Sequence, residues 1–275
     1  MILMASALGI NACALPAHAT ALFDGSAVVR SVSDQEALER SQVAIRAVGD
    51  GTIECRLSGD STVLYVGPTD DSLLHCLAEH RSPGLTLLIS SGGGDAVKAI
   101  EAANSIAERG WAIRVRGICA SSCGNWLIPA ASSVTVEPFS AILLHGGPVN
   151  SDAYVEAVQD QVEARQRAEY PEVSNEAILE GRRIMRSVML HLLDAHGAFV
   201  EAQDVRPEWY LLDEFAGPDG GFSPSDFAVI DPNYLERQAP RVEQGDYWFP
   251  YSPEDRTKLE AMITGAALFY RSPWQ

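Results

Sequence analysis

Three groups of residues in the middle of this sequence could act together in covalent catalysis. Gly92-Gly93-Gly94 follows a strand-like apolar run, Ser121 opens a helix-like segment, and His145 ends a second apolar run. A serine hydroxyl becomes an effective nucleophile when a histidine accepts its proton, and main-chain N–H groups can stabilise the negative charge that develops on the substrate. The order of these groups therefore indicates an acyl-transfer site.

Each side chain also has an ordinary structural interpretation. Ser121 or Ser122 can be a plain N-cap of the helix that follows. His145 can be a packed histidine at a strand end, although a neutral imidazole there could take the serine proton. The GxSxG turn of α/β-hydrolases is absent.

The glycine turn lies between a strand and a helix, where exposed N–H groups and the helix N-terminus suit a phosphate or an oxyanion. Neither GxGxxG nor GxxxxGK[ST] is present, so the usual nucleotide fingerprints do not apply. Alternatively, the glycines only form a tight turn and Asp95 caps the helix.

The elements that must position these groups follow from the apolar patterns. Short apolar runs bounded by Gly, Pro or Ser predict buried strands, and apolar residues at helical spacing predict helices. Strands are predicted at 62–66, 85–90, 111–117, 133–136 and 141–144, and helices at 71–80, 95–110 and 121–131. This alternation is typical of an α/β fold with a parallel sheet and crossover helices.

Beyond His145 the pattern changes. Residues 151–196 are charged and helix-rich, and Pro171 and Ser174-Asn175 divide them into two helices. Residues 222–230 predict a final small unit. From Pro232 the chain is rich in Pro, Tyr and Trp, and we expect residues 232–275 to form a C-terminal extension over the surface.

Taken together, these motifs resemble the ClpP and signal-peptide-peptidase branch of the crotonase-like superfamily. Members show a strand ending in a Ser-Pro-Gly-Gly type turn, a strand leading to Gly-x-x-Ala-Ser at a helix start, and a strand ending in His. The corresponding residues here are Ser91-Gly92-Gly93-Gly94, Gly117-Ile118-Cys119-Ala120-Ser121 and Leu144-His145. The run Cys119-Ala120-Ser121-Ser122-Cys123 is also similar to uncharacterised exported bacterial relatives of ClpP.

The resemblance implies a ClpP/crotonase-like spiral of repeated β-β-α units over residues 20–231, with a helical excursion after the histidine. It implies a serine-type endopeptidase that cleaves peptides through an acyl-enzyme. Ser121 would be the nucleophile and His145 the general base, and the main-chain N–H groups of Gly94 and Ser122 would bind the oxyanion.

The third catalytic residue implied by the resemblance is Asp219, just before Phe222. Asp213 and Asp194 are alternatives, and a Ser–His dyad is another. Two other functions stay open, a catalytically inactive binding module on the same fold and a crotonase-type acyl-CoA enzyme. An exported location argues against the latter, because CoA is cytosolic.

The N-terminus has the pattern of a secretory signal peptide. An apolar segment precedes Ala17-His18-Ala19, an A-x-A cleavage site, so we expect removal of residues 1–19 and a periplasmic or secreted protein. No other apolar stretch approaches the ~20 residues of a membrane helix, and we expect no stable membrane insertion of the mature chain.

The mature chain would contain four cysteines, an even number that suggests disulfides in an exported protein. Three connectivities are open, and a bond between residues four apart is sterically allowed. The cysteines are Cys55, Cys76, Cys119 and Cys123.

The composition limits the kinds of molecule that the protein can be expected to bind. The net charge is −17 and the sequence has no basic run, which disfavours nucleic acid, because a phosphate backbone needs Lys and Arg. We expect a peptide or protein substrate and no cofactor or metal, and the sequence leaves room for a homo-oligomer.

Overall fold

The computed structural model describes residues 34–148, 152–212, 215 and 226–271, with the main chain alone for 152–154. These residues form an α/β fold built on a mixed sheet. In chain order the elements are α1 (Asp34–Gly49), β1 (Glu54–Ser58), β2 (Thr62–Val66), α2 (Asp71–Glu79), β3 (Thr86–Ser91), α3 (Ala96–Glu108), β4 (Ala112–Ala120), a π-helical turn (Cys123–Leu127), α4 (Ile128–Ala130), β5 (Ser133–Val136), β6 (Ala141–Leu144), α5 (Asp152–Glu169), α6 (Asn175–Gln203), α7 (Glu208–Leu211), β7 (Phe227–Val229), α8 (Pro232–Gln238), β8 (Glu243–Tyr247), α9 (Pro253–Met262) and β9 (Leu268–Tyr270).

Within the described part of the chain, the sheet has the order β1-β2-β3-β4-β6-β7-β9, and β5 and β8 branch from it at β4. The central pairs β2–β3, β3–β4 and β4–β6 are parallel, as the sequence predicted. The pairs β1–β2 and β6–β7 are antiparallel, so the sheet is mixed, whereas the sequence predicted a parallel sheet. Strands β3 and β6 are buried on both faces, which is why they appear in the sequence as unbroken apolar runs.

Strand β4 divides the sheet at Gly117. The first half of β4 pairs with β5, and the second half pairs with β6. Gly117 has a φ of +75°, and a Cβ there would lie 3.0 Å from the Cβ of Ala44 on α1, so the position requires glycine. Because β4 and β6 are parallel neighbours, their carboxyl ends meet at one edge of the sheet, where Ser121 and His145 follow them.

Helix α1 packs on β2, β3 and β4 and buries Ala37, Ser41, Ala44 and Ile45. The sequence pattern does not predict this helix. Three of its four buried positions hold small residues, which weakens the apolar periodicity that identifies a helix.

The chain divides into two compact units, one with the described residues of Met1–Gly146 and Gln203–Gln275, the other Gly147–Ala202. The second unit is a helical hairpin of α5 and α6, as predicted for the stretch after His145. Val155 packs with Met189 and Leu193, and the side-chain amide of Gln159 donates to the carbonyl of Arg182 (2.7 Å).

Residues beyond Pro232 add strands to the sheet, whereas the sequence predicted a surface extension. β8 pairs with β5, and β9 pairs with β7. Arg271 and Asp231 form a buried ion pair at 3.0 Å. Of the predicted unit at 222–230, residues 226–230 are described, and they contribute β7.

The four cysteines form two disulfides, one of the three connectivities that the sequence allowed. Cys55–Cys76 joins β1 to α2, and Cys119–Cys123 joins the end of β4 to the π-helical turn. The predicted signal peptide, residues 1–19, lies outside the described residues. Nowhere in the described ranges is a helix both long and apolar enough to cross a bilayer.

Candidate active site

Ser121 lies in the turn between β4 and the π-helical turn. Its φ is +56°, a left-handed conformation that costs a non-glycine residue roughly 1–2 kcal/mol. Its N–H donates to the carbonyl of Leu143 (2.9 Å), and its carbonyl accepts from the N–H of Asn125 (2.8 Å). Strained positions of this kind cluster at functional sites.

The Ser121 hydroxyl is hydrogen-bonded to His145, with 2.6 Å between Oγ and Nε2. It makes this bond instead of an N-capping bond. The two residues follow the carboxyl ends of the paired strands β4 and β6, and sheet topology therefore explains how residues far apart in sequence meet. The structure thus brings together the nucleophile and base candidates of the sequence.

The environment of His145 favours the neutral imidazole. Burial lowers the pKa of His145 below its ordinary value of 6.5, and a hydrogen bond between the ring and its own main chain acts in the opposite direction. Phe227 on β7 contacts the ring edge-to-face, with 5.4 Å between ring centroids. A neutral imidazole beside a serine hydroxyl can accept its proton.

The structure does not identify a third catalytic residue. Asp213 and Asp219 lie outside the described residues, and Asp194 is an exposed residue of α6 in the second unit. No carboxylate among the described residues of the first unit is hydrogen-bonded to His145. The choice among the three aspartates stays a prediction.

The glycine turn is in direct contact with Ser121. A Cβ on Gly93 would lie 2.6 Å from the Cβ of Ser121 and 2.8 Å from the carbonyl oxygen of Ala120, and Gly93 has a φ of +94°. The main chain of the turn therefore lies so close to the serine that position 93 has no room for a Cβ, and only glycine permits this approach.

The two expected oxyanion donors differ in their present partners. The N–H of Gly94 donates to the hydroxyl of Ser122 (2.7 Å), so an internal acceptor already occupies it. The N–H of Ser122 belongs to the first helical turn, whose N–H groups have no intrahelical acceptor.

The hydroxyl of Ser122 connects three loops. It also forms a hydrogen bond with the hydroxyl of Thr69 (2.5 Å), and the N–H of Thr69 donates to the carbonyl of Gly93 (3.0 Å). Both hydroxyl side chains are buried. The sequence analysis missed Thr69, because a single threonine between a strand and a helix carries no distinguishing pattern.

Asn125 is a second residue that the sequence analysis missed. Its side-chain amide donates to the carbonyl of Gly146 (2.8 Å), the residue directly after His145. Trp209 donates from its indole N–H to the Asn125 carbonyl (3.2 Å). Asn125 thus ties the helix after the nucleophile to the turn after the base. Its position four residues after Ser121 is a weak signal in the sequence.

The described residues contain one cluster with metal-ligand side chains, Cys55, Glu79 and His80, within 4.8 Å of one another. The sulfur of Cys55 is bonded to Cys76, so it offers no thiolate. This cluster does not fit a metal ion.

No protein-family model matches this chain, and no curated protein matches its sequence.

Proposed function

We propose that this protein is an exported serine peptidase that cleaves peptide bonds through an acyl-enzyme. The observation that carries the proposal is the 2.6 Å hydrogen bond between Ser121 Oγ and His145 Nε2. The left-handed turn at Ser121 and the burial of His145 support the same function, because strained residues cluster at functional sites and burial favours the neutral form of the base.

The reaction follows from these contacts. His145 Nε2 removes the hydroxyl proton as Ser121 Oγ attacks the carbonyl carbon of the scissile bond. The imidazolium then donates that proton to the leaving amine, and the C–N bond breaks to leave an ester on Ser121. A water molecule, deprotonated by the now neutral His145, hydrolyses the ester and restores the serine.

The oxyanion would be bound by the N–H groups of Ser122 and Gly94. The Gly94 N–H must exchange the Ser122 hydroxyl for the oxyanion. This exchange is favourable in the tetrahedral intermediate, because a hydrogen bond to a charged acceptor is roughly twice as strong as one to a neutral acceptor.

The finer features of the fold belong to the same proposal. We infer a ClpP/crotonase-like spiral, supported by the divided strand β4, the site at the carboxyl ends of β4 and β6, and the helical unit that follows. The two disulfides support a location outside the cytoplasm. Asp219 is our proposed third catalytic residue.

One observation favours a second candidate, a catalytically inactive binding module. The Gly94 N–H already donates to the Ser122 hydroxyl inside the protein. A binding module has no oxyanion to stabilise, so this N–H could keep its internal acceptor. The two functions differ in the reactivity of Ser121.

A fluorophosphonate probe tests that reactivity, with the adduct mapped by mass spectrometry. We expect the label on Ser121 and not on Ser122, and its loss in Ser121→Ala and His145→Ala. Absence of label from the wild-type protein would support the binding module. A peptide library analysed for cleavage products then tests the substrate class.

A further inference from the structure

We propose that the Cys119–Cys123 disulfide is a positioning element of the active site, and that Ser121 becomes a competent nucleophile only once this bond has formed. The inference rests on the proposed serine chemistry and adds a control of the same site by oxidation.

The disulfide closes a small loop with Ser121 at its centre. Cys119 is the next-to-last residue of β4, and Cys123 is the first residue of the π-helical turn. Their Cα atoms are 5.2 Å apart, although the chain between them leaves a strand, adopts a left-handed residue and enters a helix. The bond therefore links the two flanks of the strained residue directly.

The strain at Ser121 explains why such a link matters. A left-handed serine returns to an ordinary backbone conformation unless its surroundings hold it. The hydrogen bonds to Leu143 and Asn125 act on Ser121 itself, and the disulfide holds the residues on both sides. A backbone change at Ser121 would move Oγ away from His145 Nε2.

Both cysteines are fully buried, which couples the bond to its surroundings. Two unbonded sulfur atoms need more room than a bonded pair. The neighbouring packing offers little room, because a Cβ on Gly124 would already lie 2.7 Å from a Leu144 side-chain carbon and 3.1 Å from the Cys119 carbonyl oxygen. We therefore expect the dithiol form to shift the main chain next to the nucleophile.

This arrangement would keep the peptidase inactive until the Cys119–Cys123 disulfide has formed. In a reducing compartment the two thiols persist and the serine is misplaced. After export, a protein disulfide oxidant accepts two electrons and two protons from the thiols by thiol–disulfide exchange and is itself reduced to a dithiol. The peptidase would thus become active only where disulfides form.

The second disulfide provides a matched control. Cys55–Cys76 joins the edge strand β1 to α2, and its sequence separation is 21 residues, against 4 for Cys119–Cys123. Loop-entropy arguments assign the larger loop the larger effect on stability. Removal of each bond in turn should therefore separate an effect on the stability of the fold from an effect on the reactivity of Ser121.

The experiment compares Cys119→Ala/Cys123→Ala with Cys55→Ala/Cys76→Ala. We expect the first variant to lose at least about tenfold in fluorophosphonate labelling rate, which corresponds to ~1.4 kcal/mol, with the smaller fall in Tm. The second should show the larger fall in Tm and a labelling rate within about twofold of the wild type. Loss of the Cys55–Cys76 bond lowers the stability of the fold and leaves the transition state of the labelling reaction unchanged. Equal labelling rates in the two variants would overturn the proposal.

Hydrogen exchange supplies a readout that needs no activity. In the Cys55→Ala/Cys76→Ala variant, where Cys119–Cys123 is the remaining disulfide, reduction with a phosphine should make the N–H groups of residues 121–125 exchange faster, and reoxidation should reverse the change. Unchanged exchange would overturn the positioning role. If the oxidised wild type is not labelled at all, the proposed function fails, and hydrogen exchange alone still decides the role of the disulfide. The same reduced sample replaces the alanine variant if that variant does not fold.

Discussion

At the scale of single residues, the burial of His145 has a direct consequence for pH dependence. Burial disfavours the charged imidazolium, so the pKa of His145 in the folded protein lies below 6.5. The base is then neutral and active above this lowered pKa and protonated below it. We expect the labelling rate of Ser121 to rise along a single limb centred below pH 6.5 and to be flat from pH 7 to 8.

The measurement is the rate of fluorophosphonate labelling between pH 4.5 and 8. The His145→Ala variant should lose several orders of magnitude in turnover and should show no such limb. A limb centred above pH 7 would contradict the role of a buried, neutral base.

Gly93 gives a second prediction at this scale. An added Cβ would meet the Ser121 Cβ at 2.6 Å, and the positive φ disfavours any other residue, so Gly93→Ala must displace the turn or the serine. A displacement of about 1 Å at an active site can reduce the rate about 10²-fold, and we expect a loss of that order in labelling rate.

Gly92→Ala is the matched control for Gly93→Ala. A Cβ on Gly92 would meet a Val48 side-chain carbon at 3.2 Å and would not touch the serine. We expect near-normal labelling of Gly92→Ala, and equal losses in the two variants would show that the close approach of Gly93 has no special role.

The residues that the sequence predicted are those with a local signature. Ser121 and His145 stand at the ends of apolar runs, next to residue types that make turns. The acceptor of the Gly94 N–H, by contrast, is the hydroxyl of Ser122, and this pairing depends on how two distant loops approach each other. No local pattern encodes it.

At the scale of elements, Asn125 couples the helix after the nucleophile to the turn after the base. Asn125→Leu keeps the branched shape of the side chain but removes the donor to the Gly146 carbonyl, which should cost about 1–3 kcal/mol in the free energy of unfolding. We also expect a fall in labelling rate at a temperature well below Tm, because the turn that follows His145 is released.

Ser132→Ala serves as the control for Asn125→Leu. Its hydroxyl donates to the Gly110 carbonyl (3.0 Å) at an exposed position before β5, at the opposite ends of the strands from the site. We expect this variant to label at the wild-type rate. If Asn125→Leu lowered Tm without slowing labelling, Asn125 would be a structural residue only.

Two strands near the C-terminal end of the described chain escaped prediction for the same physical reason. Strand β8 reads EQGDY and is mostly exposed, and β9 has three residues. Neither offers the apolar alternation that identifies a strand, so each depends on an existing neighbour, β5 or β7, for its place in the sheet.

At the scale of the whole molecule, the helical hairpin contains a buried histidine that makes stability depend on pH. Burial lowers the pKa of His196 from 6.5 to about 4, so folding favours the neutral ring. Its contribution to stability is complete above pH 6.5 and is lost progressively as the pH falls towards 4.

We therefore expect the urea midpoint of unfolding to fall between pH 7 and pH 5, before most carboxylates titrate. His196→Leu should show a shallower fall over the same range, and the remaining slope would include the contribution of His145, which has the same sign. Parallel curves for the variant and the wild type would rule out His196 as a source of the pH dependence.

The sequence by itself determined the central strands, the helices between them and the two side chains of the candidate site. These features are encoded locally, because a buried strand is an apolar run and a helix boundary is a capping or turn residue. The helix-rich character of residues 151–196 followed in the same way.

Only the tertiary structure decided the mixed strand directions, the disulfide pairing, the left-handed turn at Ser121 and the hydrogen-bonding partners of Gly94 and Asn125. Apart from the Cys119–Cys123 bond, whose partners are four residues apart, these depend on contacts between segments distant in sequence. Two strands can pair in either direction with the same apolar pattern, and four cysteines allow three pairings. The packing of the whole sheet selects one arrangement, and that arrangement places Ser121 within 2.6 Å of His145.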